Sequence, residues 1–191
     1  MIKILENLVP NKPYEEIKKV ILSEEPPNFP WWWHHGHSSP PDDETAYIDE
    51  KTDDYLMLNH LFYTPEEVSP FFKLVAPMIQ EIEKRLDVKV IDLCKFKGNL
   101  TLPSYQPHDT YSIPHKDQLE GWTTVLYYLN GGDGDTLFFD NNKNIIKRIS
   151  PIKNGAVVFP SDMFHCAANN QTIDRRVVFN IVLKFNKEKN K

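Results

Sequence analysis

The chain has 191 residues, 40% of them hydrophobic and 12% aromatic, which is ample for one packed core and thin for two. A net charge of −5 and a pI of about 5.8 leave no basic footprint for nucleic acid. No apolar run reaches membrane-spanning length, the opening MIKILENLVPNKPYEEIKK turns polar too soon for a signal peptide, and Cys94 and Cys166 make no disulfide framework, so a reduced, cytoplasmic protein is expected.

Residues 11–23 read as a short helix. Asn11 can cap it, Pro13 suits its first turn, and Ile17, Val20 and Ile21 form one apolar stripe. The stretch 26–50 is punctuated by Pro and loaded with Trp and His, and reads as a long ordered loop of the kind that serves as a lid. Its His34, His35 and His37 are expected to face water rather than a metal, and its three tryptophans to pack or to wall a substrate. Thr64-Pro65-Glu66-Glu67 has the chemistry of a helix start, with Thr64 as cap, Pro65 in the first position and Glu67 closing a capping box. That helix is expected to reach Leu86 with a kink near Pro70 or Pro77, burying Phe71, Val75, Met78, Ile79, Ile82 and Leu86.

From Val88 the texture changes to short strands and turns. VKVIDLCKFKGNLTL, WTTVLYYLN, DTLFFD, IIKRIS, AVVFP and RVVFNIVLKF are rich in β-branched and aromatic residues, and 130–133 and 140–142 are turn chemistry. Helices followed by many strands predict an α+β, mainly β domain: helices packed on one sheet of an antiparallel barrel or jelly roll. One domain, 1–191, is expected, with 1–87 as helical support and aromatic loop, 88–186 as the jelly-roll core and 187–191 as a tail.

The chemistry centres on His115-Lys116-Asp117. On an extended segment, side chains alternate faces, so His115 and Asp117 point one way and Lys116 the other. An imidazole beside a carboxylate is two thirds of a facial metal site, and His165, in FPSDMFHCAANN, is the candidate third ligand. Two His and one carboxylate with open positions suit non-haem Fe(II), and the same set could hold zinc and a water. Taken alone, His115 reads equally well as a polar strand-end residue and His165 as a histidine satisfied by backbone.

Strand faces strengthen the metal reading. In the last strand Val177, Phe179, Ile181, Leu183 and Phe185 share one large apolar side, expected to pack on the helices. The other side carries Arg176, Val178, Asn180 and Val182, the pattern of a polar cavity wall in which Arg176 clamps a carboxylate. Arg175 then points outward toward solvent. In WTTVLYYLN, Thr124, Leu126 and Tyr128 share a face, so Tyr128 can offer its hydroxyl to the same carboxylate or sit in the core with a wet tip.

H-x-D, a distal His and an Arg beyond it, with Tyr105 ahead of the triplet, then YYLN, then GGDGDTLFF, then FPSDMFH, resemble in order the Fe(II)- and 2-oxoglutarate-dependent dioxygenases, most closely the prolyl-4-hydroxylase-like branch. The resemblance spans about 93–185 and implies a double-stranded β-helix. It implies that His115, Asp117 and His165 bind Fe(II), and that Arg176 pairs with the distal (C5) carboxylate of 2-oxoglutarate. Tyr128 would hydrogen-bond that carboxylate and Tyr105 would line the co-substrate pocket, with Asn180 and Thr124 also at the co-substrate. The implied reaction is hydroxylation of a C–H bond with O2, releasing succinate and CO2, with ascorbate as an accessory reductant. The branch makes a prolyl or other side chain in a protein or peptide the leading substrate, ahead of a small metabolite or free amino acid. The N-terminal third, with WWWHHGH, matches no motif of the family, and substrate specificity is expected there. Rival readings are a cupin-like metal protein, which would show H-x-H and a following Glu, a non-catalytic barrel binding module using the aromatic loop, and a zinc hydrolase, for which no general-base Glu stands near the triplet.

Overall fold

A computed structural model of the chain describes residues 1–25, 28–34, 44–53, 57–104, 107 and 109–187. In chain order the elements are β1 (Lys3–Leu5), α1 (Asn11–Ile21), β2 (Trp32–His34), β3 (Met57–Tyr63), α2 (Phe72–Val75), α3 (Pro77–Leu86), β4 (Val88–Thr101), β5 (Thr123–Tyr128), β6 (Thr136–Phe139), β7 (Ile145–Ile149), β8 (Gly155–Pro160), β9 (His165–Ala167) and β10 (Arg176–Lys187). A seven-stranded antiparallel sheet runs β1-β8-β5-β10-β4-β3-β2, and a three-stranded sheet runs β7-β6-β9. Isolated bridges from Tyr111 to Ala168 and from His115 to His165 and Ala46 carry the smaller sheet further. This is the antiparallel, mainly β double-stranded β-helix that the sequence predicts.

The period-two pattern of β10 decides where the core lies. Val177, Phe179, Ile181 and Leu183 join Val125 and Tyr127 of β5 in one buried cluster with Tyr14, Ile17 and Ile21 of α1 and Met78 and Ile82 of α3. At the end of α3, Asp87 takes a left-handed conformation (φ 55°) that stops the helix. The Glu83 carboxylate accepts the Val90 N–H at 2.8 Å and the Lys89 ammonium at 3.0 Å, tying that end to β4. Among the described residues no helix is long and apolar enough to cross a membrane.

Three expectations change. The first helix ends at Ile21, and Asn11 lies inside it: Pro10 occupies the cap position and no side chain bonds there. The Thr64 sequence does not open a helix. Its hydroxyl does accept the Glu67 N–H at 3.2 Å, but its own N–H donates to the Glu67 carbonyl at 2.8 Å and Tyr63 bridges Val68, which closes a hairpin turn. Pro70 explains this, because it disfavours a helical Ser69, so helix begins only beyond it and breaks again before Pro77. Finally, the tryptophan stretch supplies an edge strand, with Trp32 and Trp33 paired to Asn59 and Leu58 of β3, a strand not predicted. Of its three histidines, His35 and His37 lie outside the described residues.

Candidate metal centre

His115 and His165 face each other across an antiparallel bridge in which each N–H donates to the other's carbonyl, both at 3.0 Å. That pairing sets their rings 4.7 Å apart, centre to centre. Each ring turns Nδ1 to a backbone carbonyl two residues back, Ile113 at 2.9 Å and Met163 at 3.1 Å. A carbonyl only accepts, so both Nδ1 atoms carry hydrogen, and a neutral ring then leaves Nε2 as a bare donor for a metal. Burial, reinforced by the neighbouring His165, lowers the His115 pKa to about 4, so its ring is neutral at physiological pH.

Asp117 reaches the same point from its N–H bond to the Ser161 carbonyl, 2.9 Å. Its Oδ1 accepts from the Lys95 ammonium at 2.9 Å and the Asn180 amide at 2.8 Å; its Oδ2 accepts from the Thr124 hydroxyl at 2.9 Å and lies 3.4 Å from His165 Nε2. Burial works to raise its pKa, but the Lys95 ammonium and then the two histidines outweigh it and hold the carboxyl well below the usual range. The ligand atoms of His115, Asp117 and His165 all lie within 4.8 Å of one another. Two imidazoles that turn Nε2 toward one ionised carboxylate fit a divalent cation, and the mixed nitrogen and oxygen set suits Fe(II).

Across the sheet stands Arg176, 5% exposed, its Nε buried without a partner. Its guanidinium lies 5.8 Å from the centre of the Tyr128 ring. The Tyr128 hydroxyl shares a 2.7 Å hydrogen bond with the Thr136 hydroxyl. Gly134 makes room for this arginine, since a Cβ there would come within 3.0 Å of Arg176 Cδ and 3.1 Å of the Ala168 carbonyl. A buried guanidinium with an unpartnered Nε fits a ligand carboxylate. Arg175 points to the opposite face and pairs with Glu24 at the surface, 2.5 Å away.

The structure therefore brings His115, Asp117 and His165 together and puts Arg176 beside Tyr128. Thr124 and Asn180, expected at the co-substrate, both donate to Asp117; Tyr105 lies outside the described residues. Sequence reasoning missed Lys95 and Ser161, the latter 2.8 Å from the Thr124 hydroxyl. In β4 the polar positions Lys95, Lys97, Asn99 and Thr101 alternate with Cys94, Phe96, Gly98 and Leu100, a signal that carries meaning only once β4 is paired with β10.

The antiparallel double-stranded β-helix thus carries a His-Asp-His cluster able to hold a metal ion. Residues 100–184 match the sequence profile of the 2OG-Fe(II) oxygenase superfamily. Over that stretch, a little under half of the chain, the sequence resembles that superfamily, whose members use Fe(II), 2-oxoglutarate and O2. Among curated proteins none matches at the sequence level. Solved structures show the same fold at low identity. A prolyl hydroxylase from Trichoplax adhaerens, in complex with a hypoxia inducible factor oxygen degradation domain peptide fragment, is 14% identical, with TM-score 0.64 over 96% of this chain and 83% of that one. A 2OG-Fe(II) oxygenase family oxidoreductase from Burkholderia pseudomallei is 10% identical, with TM-score 0.65 over 98% and 85%. HygX from Streptomyces hygroscopicus, with nickel and 2-oxoglutarate bound, is 8% identical, with TM-score 0.60 over 96% and 82%.

Proposed function

We propose that the chain hydroxylates an aliphatic C–H bond, with Fe(II) held by His115, Asp117 and His165 and 2-oxoglutarate anchored through its distal carboxylate by Arg176 and Tyr128. The observation that carries this is the cluster itself: two Nε2 atoms freed by backbone bonds to Nδ1, and a carboxylate held ionised in a buried site. When bound, the metal supplies the redox chemistry with O2 that no side chain can. The protein's part is orientation and shielding. Lys95, Asn180 and Thr124 fix the carboxylate, and the two backbone carbonyls fix the rings. If Thr136 is the donor in its bond to Tyr128, the phenol hydrogen is free for the co-substrate. Phe138 and Phe159 pack beside the His165 ring and exclude water from it.

A prolyl or other side chain in a peptide is the leading substrate, supported by the likeness in fold to prolyl hydroxylases, one of them peptide-bound. The test is to incubate the protein with Fe(II), ascorbate and 2-oxoglutarate and follow succinate. Turnover that falls to background in His115→Ala, with the melting temperature kept, is the expected result. No succinate with any substrate, and no binding of Mn(II) or 2-oxoglutarate, overturns the reading.

A further inference from the structure

Lys97 stands two residues beyond Lys95 on the same face of β4, with Leu61 and Asn180 as its cross-strand neighbours. It is half-buried and makes no ion pair or hydrogen bond with any described residue. Burial, and then the Lys95 ammonium, lower its pKa to about 8, and Asp117 alone works to raise it, so it is a cation at neutral pH. Yet Asp117 already receives Lys95, Asn180 and Thr124, and in the reading above a metal as well. One row further along, the paired Asn59 and Asn99 leave Asn59 Nδ2 and Asn99 Oδ1 buried without partners. The Asn59 amide N–H is withdrawn from water without a partner, and near it the half-buried Lys97 carries a charge that no described residue pairs; an anionic ligand would satisfy both.

We propose that Lys97, with the Asn59 amide as a second donor, is a recognition subsite for a carboxylate on the substrate, so that the molecule hydroxylated carries an acid group. The inference rests on the oxygenase reading of the site. The co-substrate has its own cation. Arg176 pairs with Thr101, and at about 3.3 Å per residue that position lies roughly 13 Å along β4 from Lys97. A single ammonium suits a monoanionic carboxylate; a phosphate dianion would want a second free cation, and Lys95 is engaged. A prolyl side chain in a peptide meets this requirement where an acidic group lies beside it.

The test uses the whole chain loaded with Zn(II) and saturated with 2-oxoglutarate, and reads binding by calorimetry. The probes are matched acids and amides: L-proline with L-prolinamide, L-glutamate with L-glutamine, and N-acetyl-aspartyl amide with N-acetyl-asparaginyl amide. The first two pairs present a free amino acid, and the third a side-chain carboxylate in a peptide setting. At least one acid is expected to bind about tenfold or more tightly than its amide, and the pair that discriminates identifies the source of the carboxylate. Lys97→Gln should bring that pair within about twofold and Lys97→Arg restore most of the preference, with 2-oxoglutarate affinity unchanged in both. Acid and amide binding alike in every pair, or no probe binding at all, overturns the proposal, as does a preference that survives Lys97→Gln. Lys97→Gln weakening 2-oxoglutarate instead would assign the lysine to the co-substrate and also overturn it. The wild-type preference needs no variant, so the test stands if Lys97→Gln fails to fold. Zn(II) and 2-oxoglutarate titrations without probe come first, and their failure would strike the oxygenase reading separately.

Discussion

The two faces of the large sheet are built from the same strands and do opposite work. On the outer face Val177, Phe179, Ile181 and Leu183 lie against helices and bury apolar surface completely. On the inner face, one residue out of step, Arg176 and Asn180 are just as buried but leave Arg176 Nε and Asn180 Oδ1 without partners. Period-two alternation thus lets one strand stabilise the fold and hold a site that costs stability. The outer face must outweigh what the inner face leaves unsatisfied.

The outer face is where the largest loss of stability is expected. Phe179 is fully buried among Phe62, Phe96 and Tyr127, with ring centres 5.4 to 5.8 Å away. Phe179→Ala should lower unfolding free energy by about 3–5 kcal/mol, measured by chemical denaturation. Metal affinity of the folded fraction should not change. A variant that stays stable, or one that loses the metal while folded, would break the division between the faces.

Much of this division was legible in advance because it depends on local periodicity. The H-x-D triplet and the alternation of β10 specify which side chains share a face, whatever lies above or below them. His165 could be nominated but not placed, since only the bridge to His115 brings it near. The polar side of β4 was not legible, because Lys95, Lys97 and Asn99 look the same in sequence whether they face water or an enclosed cavity. The turn at Thr64 misled for a related reason: Thr-x-x-Glu chemistry serves a tight turn as well as a helix cap, and Ser69-Pro70 decides between them. His60 and β3 escaped notice because a histidine amid an apolar run obscures the pattern, although its ring is buried between the Pro30 carbonyl and the Ser69 hydroxyl, both at 2.8 Å.

The inner face should reveal its cost in the acid stability of the metal-free protein. His115 has its folded pKa lowered to about 4, against roughly 6.5 in the unfolded chain. Between these values the unfolded chain takes up the proton and the native ring does not, so stability falls as pH drops through that window and is complete above it. The loss is about 3 kcal/mol by pH 4. His60, also lowered by burial, acts in the same direction, so the measurement is the difference between wild type and His115→Gln. Asp117 belongs to a lower window, because a depressed carboxyl loses its contribution only as pH falls below about 4. Equal pH profiles for wild type and His115→Gln would mean that the ring is not held neutral by the fold.

The smallest effect sharpens the comparison most, because it sets two adjacent residues against each other across the sheet. Arg176→Met removes a buried guanidinium with an unpartnered Nε and should weaken 2-oxoglutarate about thirtyfold, roughly 2 kcal/mol, read by calorimetry on the Zn(II)-loaded protein. Arg175→Met removes a half-exposed partner of Glu24 and should change that affinity less than about twofold. The two substitutions delete the same charge one residue apart, so net charge cannot explain a difference between them. Equal losses would mean that the co-substrate feels only the general field of the strand start. A loss confined to Arg175→Met would reverse the faces and place the co-substrate on the side packed by helices, where the apolar cluster of Phe179 and Ile181 leaves no room for it.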